Sequence, residues 1–174
     1  MYSKMMLDAT AGNRMMWKKN KFNFNALFLD KEINLKVPPN IIADNRKLPF
    51  RGDVFDCVVF DPPHFVGSIF PWMNDPKYRS FYSQWKSKIE CFSSISKSQK
   101  EFARVSSRLC FKWNDISVSL WKILPFFTEW NIIQEKEHLS KLKRVYHKKR
   151  KKPKTKTHWV TFIRSSASTA RSEE

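Results

Sequence analysis

Asp61-Pro62-Pro63-His64 is the stretch of this chain whose residue types carry the most chemistry. It closes the apolar run Cys57-Val58-Val59-Phe60, so a strand would hold the carboxylate rigidly. Two consecutive prolines lack an N–H and have a locked φ, which makes a stiff, extended turn. Main-chain carbonyls in such a turn point outward with few local partners. A carboxylate and such a carbonyl can together accept both hydrogens of an exocyclic amine. This draws the nitrogen toward a tetrahedral shape and frees its lone pair for attack. His64 adds a flat ring for stacking on a base, smaller than a phenyl ring and able to carry charge. Phe65 and Trp72 offer further aromatic surface. The plainer reading of these four residues is a strand-terminating turn.

A second stretch, Leu7-Asp8-Ala9-Thr10-Ala11-Gly12-Asn13, reads as a strand followed by a tight turn into a helix. Gly12, one of three glycines in the chain, lets the backbone turn sharply and lets a ligand come close. The small residues Ala9, Thr10 and Ala11 extend that clearance. No Gly-Lys-Ser/Thr follows, so this is not a phosphate-binding P-loop.

Elements must position these residues. Met5-Met6-Leu7, Ala26 to Leu29, Ile41 to Ala43 and Cys57 to Phe60 are short continuous apolar runs, ended by Asp8, Asp30, Asp44 and Asp61. This is the pattern of strands buried on both faces. The gaps of 17, 10 and 12 residues allow crossovers, the last two short or irregular. A fifth run, Leu109-Cys110-Phe111, leads into Lys112-Trp113-Asn114-Asp115. Phe81, Trp85, Ile89, Phe92, Ile95, Phe102 and Val105 recur at helical spacing before it. A second helix is expected over Ile116 to Phe127, then two strand-like runs, Trp130 to Ile133 and His158 to Ile163. Strands alternating with crossovers give an α/β, doubly wound, mostly parallel sheet, whose ligands bind beyond the carboxyl ends of the strands. The four aspartates would gather there. Each alone could be a helix N-cap or a turn residue.

Taken in order, these stretches resemble class I S-adenosylmethionine-dependent methyltransferases, in the amino-methyltransferase branch. Leu7 to Asn13 is similar to the family's first motif, with Arg14 where its last glycine would stand. Asp61 to His64 is similar to the motif D/N/S-P-P-Y/F/W, with His64 in the aromatic position. The segments Ala43 to Phe50, Phe111 to Asn114 and Lys156 to Trp159 extend the likeness, which resembles small stand-alone methyltransferases of phage and prokaryotic genomes and covers most of residues 5–163. The resemblance implies a Rossmann-like, seven-stranded sheet ending in an antiparallel hairpin. It implies S-adenosylmethionine as cofactor, held by Asp8, Ala9, Thr10, Gly12, Asp30, Asp44 and Asn45. It implies methyl transfer to an exocyclic amino nitrogen of a nucleic-acid base, with Asp61, Pro62, Pro63 and His64 catalytic and no metal. Adenine N6 or cytosine N4 of DNA stands ahead of RNA; a protein side-chain amide stays open. Lys112 and Asn114 are further pocket candidates.

The charge fits a polyanion. Of 174 residues, 33 are Lys or Arg and 16 Asp or Glu, a formal net charge of +17. Residues 1–140 carry 21 basic and 14 acidic residues, whereas 141–156 carry ten basic and no acidic ones. Such a run repels itself and should form an exposed loop, 139–156, between the last two strands. Lys143, Arg144, Lys148, Lys149, Arg150, Lys151 and Lys152 would grip phosphates there; a solvated tether or a localisation signal is the alternative. Residues 1–164 read as one domain and 165–174 as a disordered tail. Three widely spaced cysteines point to reduced thiols and the cytoplasm, not to zinc. No signal peptide and no run of 18 apolar residues is apparent, so no membrane partner is expected. With no separate target-recognition domain, an oligomer or a recognition partner is expected. A non-catalytic nucleic-acid binder on the same fold is the competing reading, and a metal-dependent nuclease a third.

Overall fold

Short apolar runs with no wet face need neighbours on both edges and both faces, and three of the four expected ones pair side by side inside a sheet; the run at Ile41–Ile42 lies at its edge instead, with Ile42 exposed. The computed structural model describes residues 5–17, 25–67, 84–139 and 155–166. Strands β1 (Met6–Asp8), β2 (Ala26–Asp30), β3 (Ile41–Ile42), β4 (Cys57–Phe60) and β7 (Arg108–Asn114) run parallel. β9 (Lys156–Arg164) pairs antiparallel with β7 and with β8 (Trp130–Leu139). The seven-stranded order is β3-β2-β1-β4-β7-β9-β8, a Rossmann-like sheet closed by an antiparallel hairpin, as expected. β5 (Phe65–Val66) and β6 (Gln84–Trp85) form a separate two-stranded ladder. The chain leaves β1 towards β2 and β3 and returns on the other side at β4. The switch point therefore lies between β1 and β4, where such sheets open a crevice for ligands.

One face of the sheet is covered by α1 (Lys88–Val105), the expected helix with a later start. Ser87 Oγ accepts from the Glu90 amide at 3.1 Å and caps it there, while Trp85 belongs to β6. Its inward stripe is Cys91, Ile95, Phe102 and Val105; Ile89, expected on that stripe, is exposed. Beneath lie Leu7, Val58, Phe60, Leu109, Phe111, Trp113, Val160 and Phe162, all essentially without exposure to solvent. Residues 116–127 do not form the expected α-helix. They make two 3-10 turns, Leu120–Lys122 and Leu124–Phe126. Local bonds set this path: Trp113 Nε1 donates to the Val118 carbonyl at 2.9 Å, and Asp115 Oδ1 accepts from the Leu120 amide at 2.8 Å. Pro125 then removes a backbone donor.

The other face is packed by Ala11, Trp17, Ala26 and Phe28 beside β1 and β2. Among the described residues the crossovers at 31–40 and 43–56 contain no helix, matching their short gaps. The last strand pair is longer than expected. β8 reaches Leu139 and β9 starts at Lys156, level with the carboxyl end of β7, where Asn114 pairs with Thr157. Lys143, Arg144, Lys148, Lys149, Arg150, Lys151 and Lys152, and residues 167–174 of the expected tail, lie outside the described residues. The thiols of Cys57, Cys91 and Cys110 are unpaired, and burial pushes Cys57 up to about 11 and Cys91 to about 12. Among the described residues no helix is long and apolar enough to cross a membrane.

Candidate active site

The turn after β1 is laced to the two strands beside it, β4 and β2. Ala9 N donates to the Val59 carbonyl and Ala11 N to the Leu29 carbonyl, both at 3.0 Å. Asp8 is buried at the strand end: Oδ1 accepts from the Thr10 amide at 3.1 Å and Oδ2 from the Trp17 indole at 2.6 Å. Burial pushes its carboxyl up to about 6; the Trp17 and Thr10 donors pull it down, and the charges of Asp61 and Asp30 add to the rise. Asp8 thus anchors the turn from below. Asp30, at the end of β2, accepts from the Gly12 amide through Oδ2 at 2.8 Å and from the Glu32 amide through Oδ1 at 2.9 Å. Gly12 has φ +48°, and a Cβ placed on it would meet nothing within 4 Å, so the outer side of the turn is open. Arg14, in the place of a glycine, also has positive φ, 54°. Its guanidinium turns away from that opening, over the Phe28 ring at 4.0 Å, with Nη2 on the Pro38 carbonyl at 2.8 Å.

Asp61 stands opposite. Its amide donates to Thr10 Oγ1 at 2.8 Å, joining the two motifs directly. Oδ2 accepts from Lys112 Nζ at 2.6 Å. His64 Nε2 approaches Oδ1 at 2.9 Å, but off-axis, and Oδ1 is a buried acceptor without a hydrogen-bond donor among the described residues. Burial works to raise the Asp61 carboxyl; the His64 ring and the Lys112 ammonium outweigh it and hold the group below its ordinary range. His64 Nδ1 accepts from the Asn114 amide at 3.4 Å, which leaves the ring proton on Nε2, facing Asp61. The ring lies edge-on to Trp113 at 5.2 Å with its side chain 12% exposed, so it faces the carboxylate and not open solvent. The Trp85 indole takes the Pro63 carbonyl at 2.8 Å, and no donor among the described residues reaches that of Pro62.

Seven strands in this order, with the last pair antiparallel and the switch point between β1 and β4, have known counterparts. Thermoplasma acidophilum protein 1320 superposes with TM-score 0.58 at 14% identity, over 94% of this chain and 80% of that one. A protein of echinomycin biosynthesis, described with the conversion of a disulfide bond into a thioacetal group, gives 0.55 at 12%, over 99% and 81%. The (4+2)-cyclase SpnF gives 0.54 at 8%, over 93% and 74%. The fold shared with these proteins is a Rossmann-like, mostly parallel seven-stranded sheet ending in an antiparallel pair. At these identities the likeness is one of fold. No family description and no curated protein matches the sequence.

In this fold three of the four aspartates converge on the switch point. Asp8 and Asp30 end β1 and β2, Asp61 follows β4, and Asp8 feels the charges of the other two. Asp44, beyond β3, sits on the same rim but faces outward. Arg46, two residues on, chelates it through Nε at 2.9 Å and Nη2 at 2.5 Å and holds its carboxyl below the usual range. Asn45 is a brace: Nδ2 donates to the Ala9 carbonyl at 3.1 Å and Oδ1 accepts from Ser98 Oγ at 2.8 Å, tying the turn to α1. Three groups come from outside the expected site. The Trp17 and Trp85 indoles each satisfy an acceptor in a motif, and neither position carries a sequence signal beyond its aromatic type. His158, buried, lies 3.0 Å from Glu135 and 3.2 Å from Asp115, pinning β8 and the end of β7 to β9.

Proposed function

We propose that this protein is an S-adenosylmethionine-dependent methyltransferase that modifies an exocyclic amino nitrogen of a nucleic-acid base, DNA ahead of RNA. One observation carries the reading: at the switch point the Asp61 amide donates to Thr10 Oγ1, so the carboxylate that follows β4 stands against the turn after β1. Its side chain is 20% exposed, and together with the Pro62 carbonyl beside it can accept the two hydrogens of an amino group.

The residues opposite fit the cofactor. The outer side of Gly12 is open, and the Asp30 carboxylate, already on the Gly12 amide, can hold ribose hydroxyls. Three nearby carboxylates favour a cationic group. S-adenosylmethionine, when bound, supplies an electrophilic methyl. Asp61 and Pro62 orient the amine and raise its nucleophilicity, His64 and Lys112 keep Asp61 ionised, and Trp17 and Asn45 fix the turn. Orientation of two bound reactants provides most of the rate. The net charge of +17 supports a polyanionic substrate, gripped by the basic stretch from Lys143 to Lys152 while the base enters the pocket, flipped out where the substrate is a duplex. A second copy or a recognition partner would supply target choice.

The test incubates the full chain with methyl-labelled S-adenosylmethionine and genomic DNA or tRNA, digests the products to nucleosides and weighs them. A methylated amino base from wild type, and none from Asp61→Ala, is the expected result. Unmodified nucleosides alongside demonstrable binding of nucleic acid by both proteins would favour the second reading, a non-catalytic binder on this fold. The strained Arg14 and the inward-turned His64 speak for that alternative.

A further inference from the structure

β4 and β7 run parallel with Phe60 beside Phe111, so the next residue of each strand, Asp61 and Lys112, must also lie side by side. The sheet register itself delivers a lysine to the candidate catalytic carboxylate. Lys112 is held there from the opposite side too. Its antiparallel partner on β9 is Trp159, whose ring centre lies 5.8 Å from Nζ. Lys112 and Asp61 side chains are only 23% and 20% exposed, so the ion pair is partly desolvated and the lysine has little room to swing.

The titratable and charged groups facing Asp61 are Lys112 from β7, His64 from its own turn and Asp8 from β1, the last repelling it. Lys112 makes a well-formed hydrogen bond to Oδ2, and the His64 ring lies against Oδ1. The orientation of the carboxylate is thus set from two sides.

We propose that Lys112 is a positioning residue for the candidate catalytic carboxylate: its ammonium on Oδ2 of Asp61 supplies the counter-charge and fixes the carboxylate where the amino nitrogen would bind. Its functional consequence rests on the amine-methylation reading above; its effect on Asp61 does not. A lysine serving only to join two strands would leave the acid limb and kcat of a folded variant unmoved, and this difference can be measured.

The experiment labels the protein with 13C at the aspartate carboxyls and follows the resonance that disappears in Asp61→Asn through a pH titration. Wild type should keep Asp61 ionised below the ordinary carboxyl range. In Lys112→Met its midpoint should rise by about 1–3 pH units, the scale set by an adjacent opposite charge. Lys112→Arg should restore the wild-type midpoint. Lys112→Gln, which keeps a donor without the charge, serves should the methionine variant fail to fold. A folded uncharged variant whose Asp61 titrates with wild type overturns the proposal. In parallel, the acid limb of methyl transfer should move upward in Lys112→Met, with kcat falling more than KM rises. An unmoved acid limb in an active, folded variant would also overturn it. If wild type methylates no nucleic acid at any pH, the functional reading falls, and the carboxyl titration still decides what Lys112 does to Asp61.

Discussion

Replacing Asp8 by asparagine should flatten the pH dependence of this protein's stability in a narrow window. The buried carboxyl is raised from 3.8 to about 6, roughly two pH units. Each unit corresponds to about 1.4 kcal/mol, so ionised Asp8 costs about 3 kcal/mol at neutral pH relative to acid. The sign follows from proton counting. Between about pH 4 and 6 the folded state holds a proton that the unfolded chain has released, so folding is favoured below that window and loses support as pH rises through it. Urea unfolding at half-unit steps from pH 3.5 to 7.5, wild type against Asp8→Asn, isolates this contribution, because the other titrating groups are common to both proteins. The difference in unfolding free energy should move by about 3 kcal/mol across the window, with wild type losing more as pH rises. The variant keeps one acceptor oxygen for the Thr10 and Trp17 donors and loses the other at all pH values, which offsets the curve without bending it. Parallel curves would refute the picture of Asp8 as a desolvated anchor beneath the turn.

Other consequences reach the same site from different sides. Gly12→Val places a branched side chain at φ +48°, where the backbone cost is about 1–2 kcal/mol, and fills the open outer side of the turn; thermal unfolding should show a modest loss, and calorimetry a near-complete loss of S-adenosylmethionine binding. Asn45→Ala leaves Ser98 Oγ and the Ala9 carbonyl without their partner and should cost about 1–3 kcal/mol in urea unfolding. Changing Lys148, Lys149, Arg150, Lys151 and Lys152 to glutamine should weaken nucleic-acid binding at low salt. On duplex DNA the slope of log affinity against log salt should flatten by up to about 0.9 for each phosphate no longer neutralised. An unchanged slope would assign the grip to another surface.

Much of this geometry is legible in the sequence because strands buried on both faces read as short uninterrupted apolar runs. Asp8, Asp30 and Asp61 can be placed at strand ends, and the hairpin anticipated, without knowing which strand neighbours which. Pairing is not legible. That Phe60 lies beside Phe111, and so Asp61 beside Lys112, is a property of register, set by packing across the whole sheet. Asp44 shows a different limit: it occupies the expected rim, but an arginine two residues on competes for it locally. The 116–127 stretch has helical apolar spacing, yet the Trp113 indole and Asp115 carboxylate capture its backbone at Val118 and Leu120, and Pro125 prevents a regular ladder from recovering. The inward turn of His64 likewise depends on the Asn114 amide, which the sheet brings to it from β7.

Titrating S-adenosylmethionine into the protein by calorimetry decides whether the switch point between β1 and β4 holds this cofactor. One site per chain is expected in wild type and its loss in Asp30→Ala, with the variant still folded by circular dichroism. A well-folded wild type that gives no heat, and no rise in melting temperature with the ligand in large excess, would contradict it.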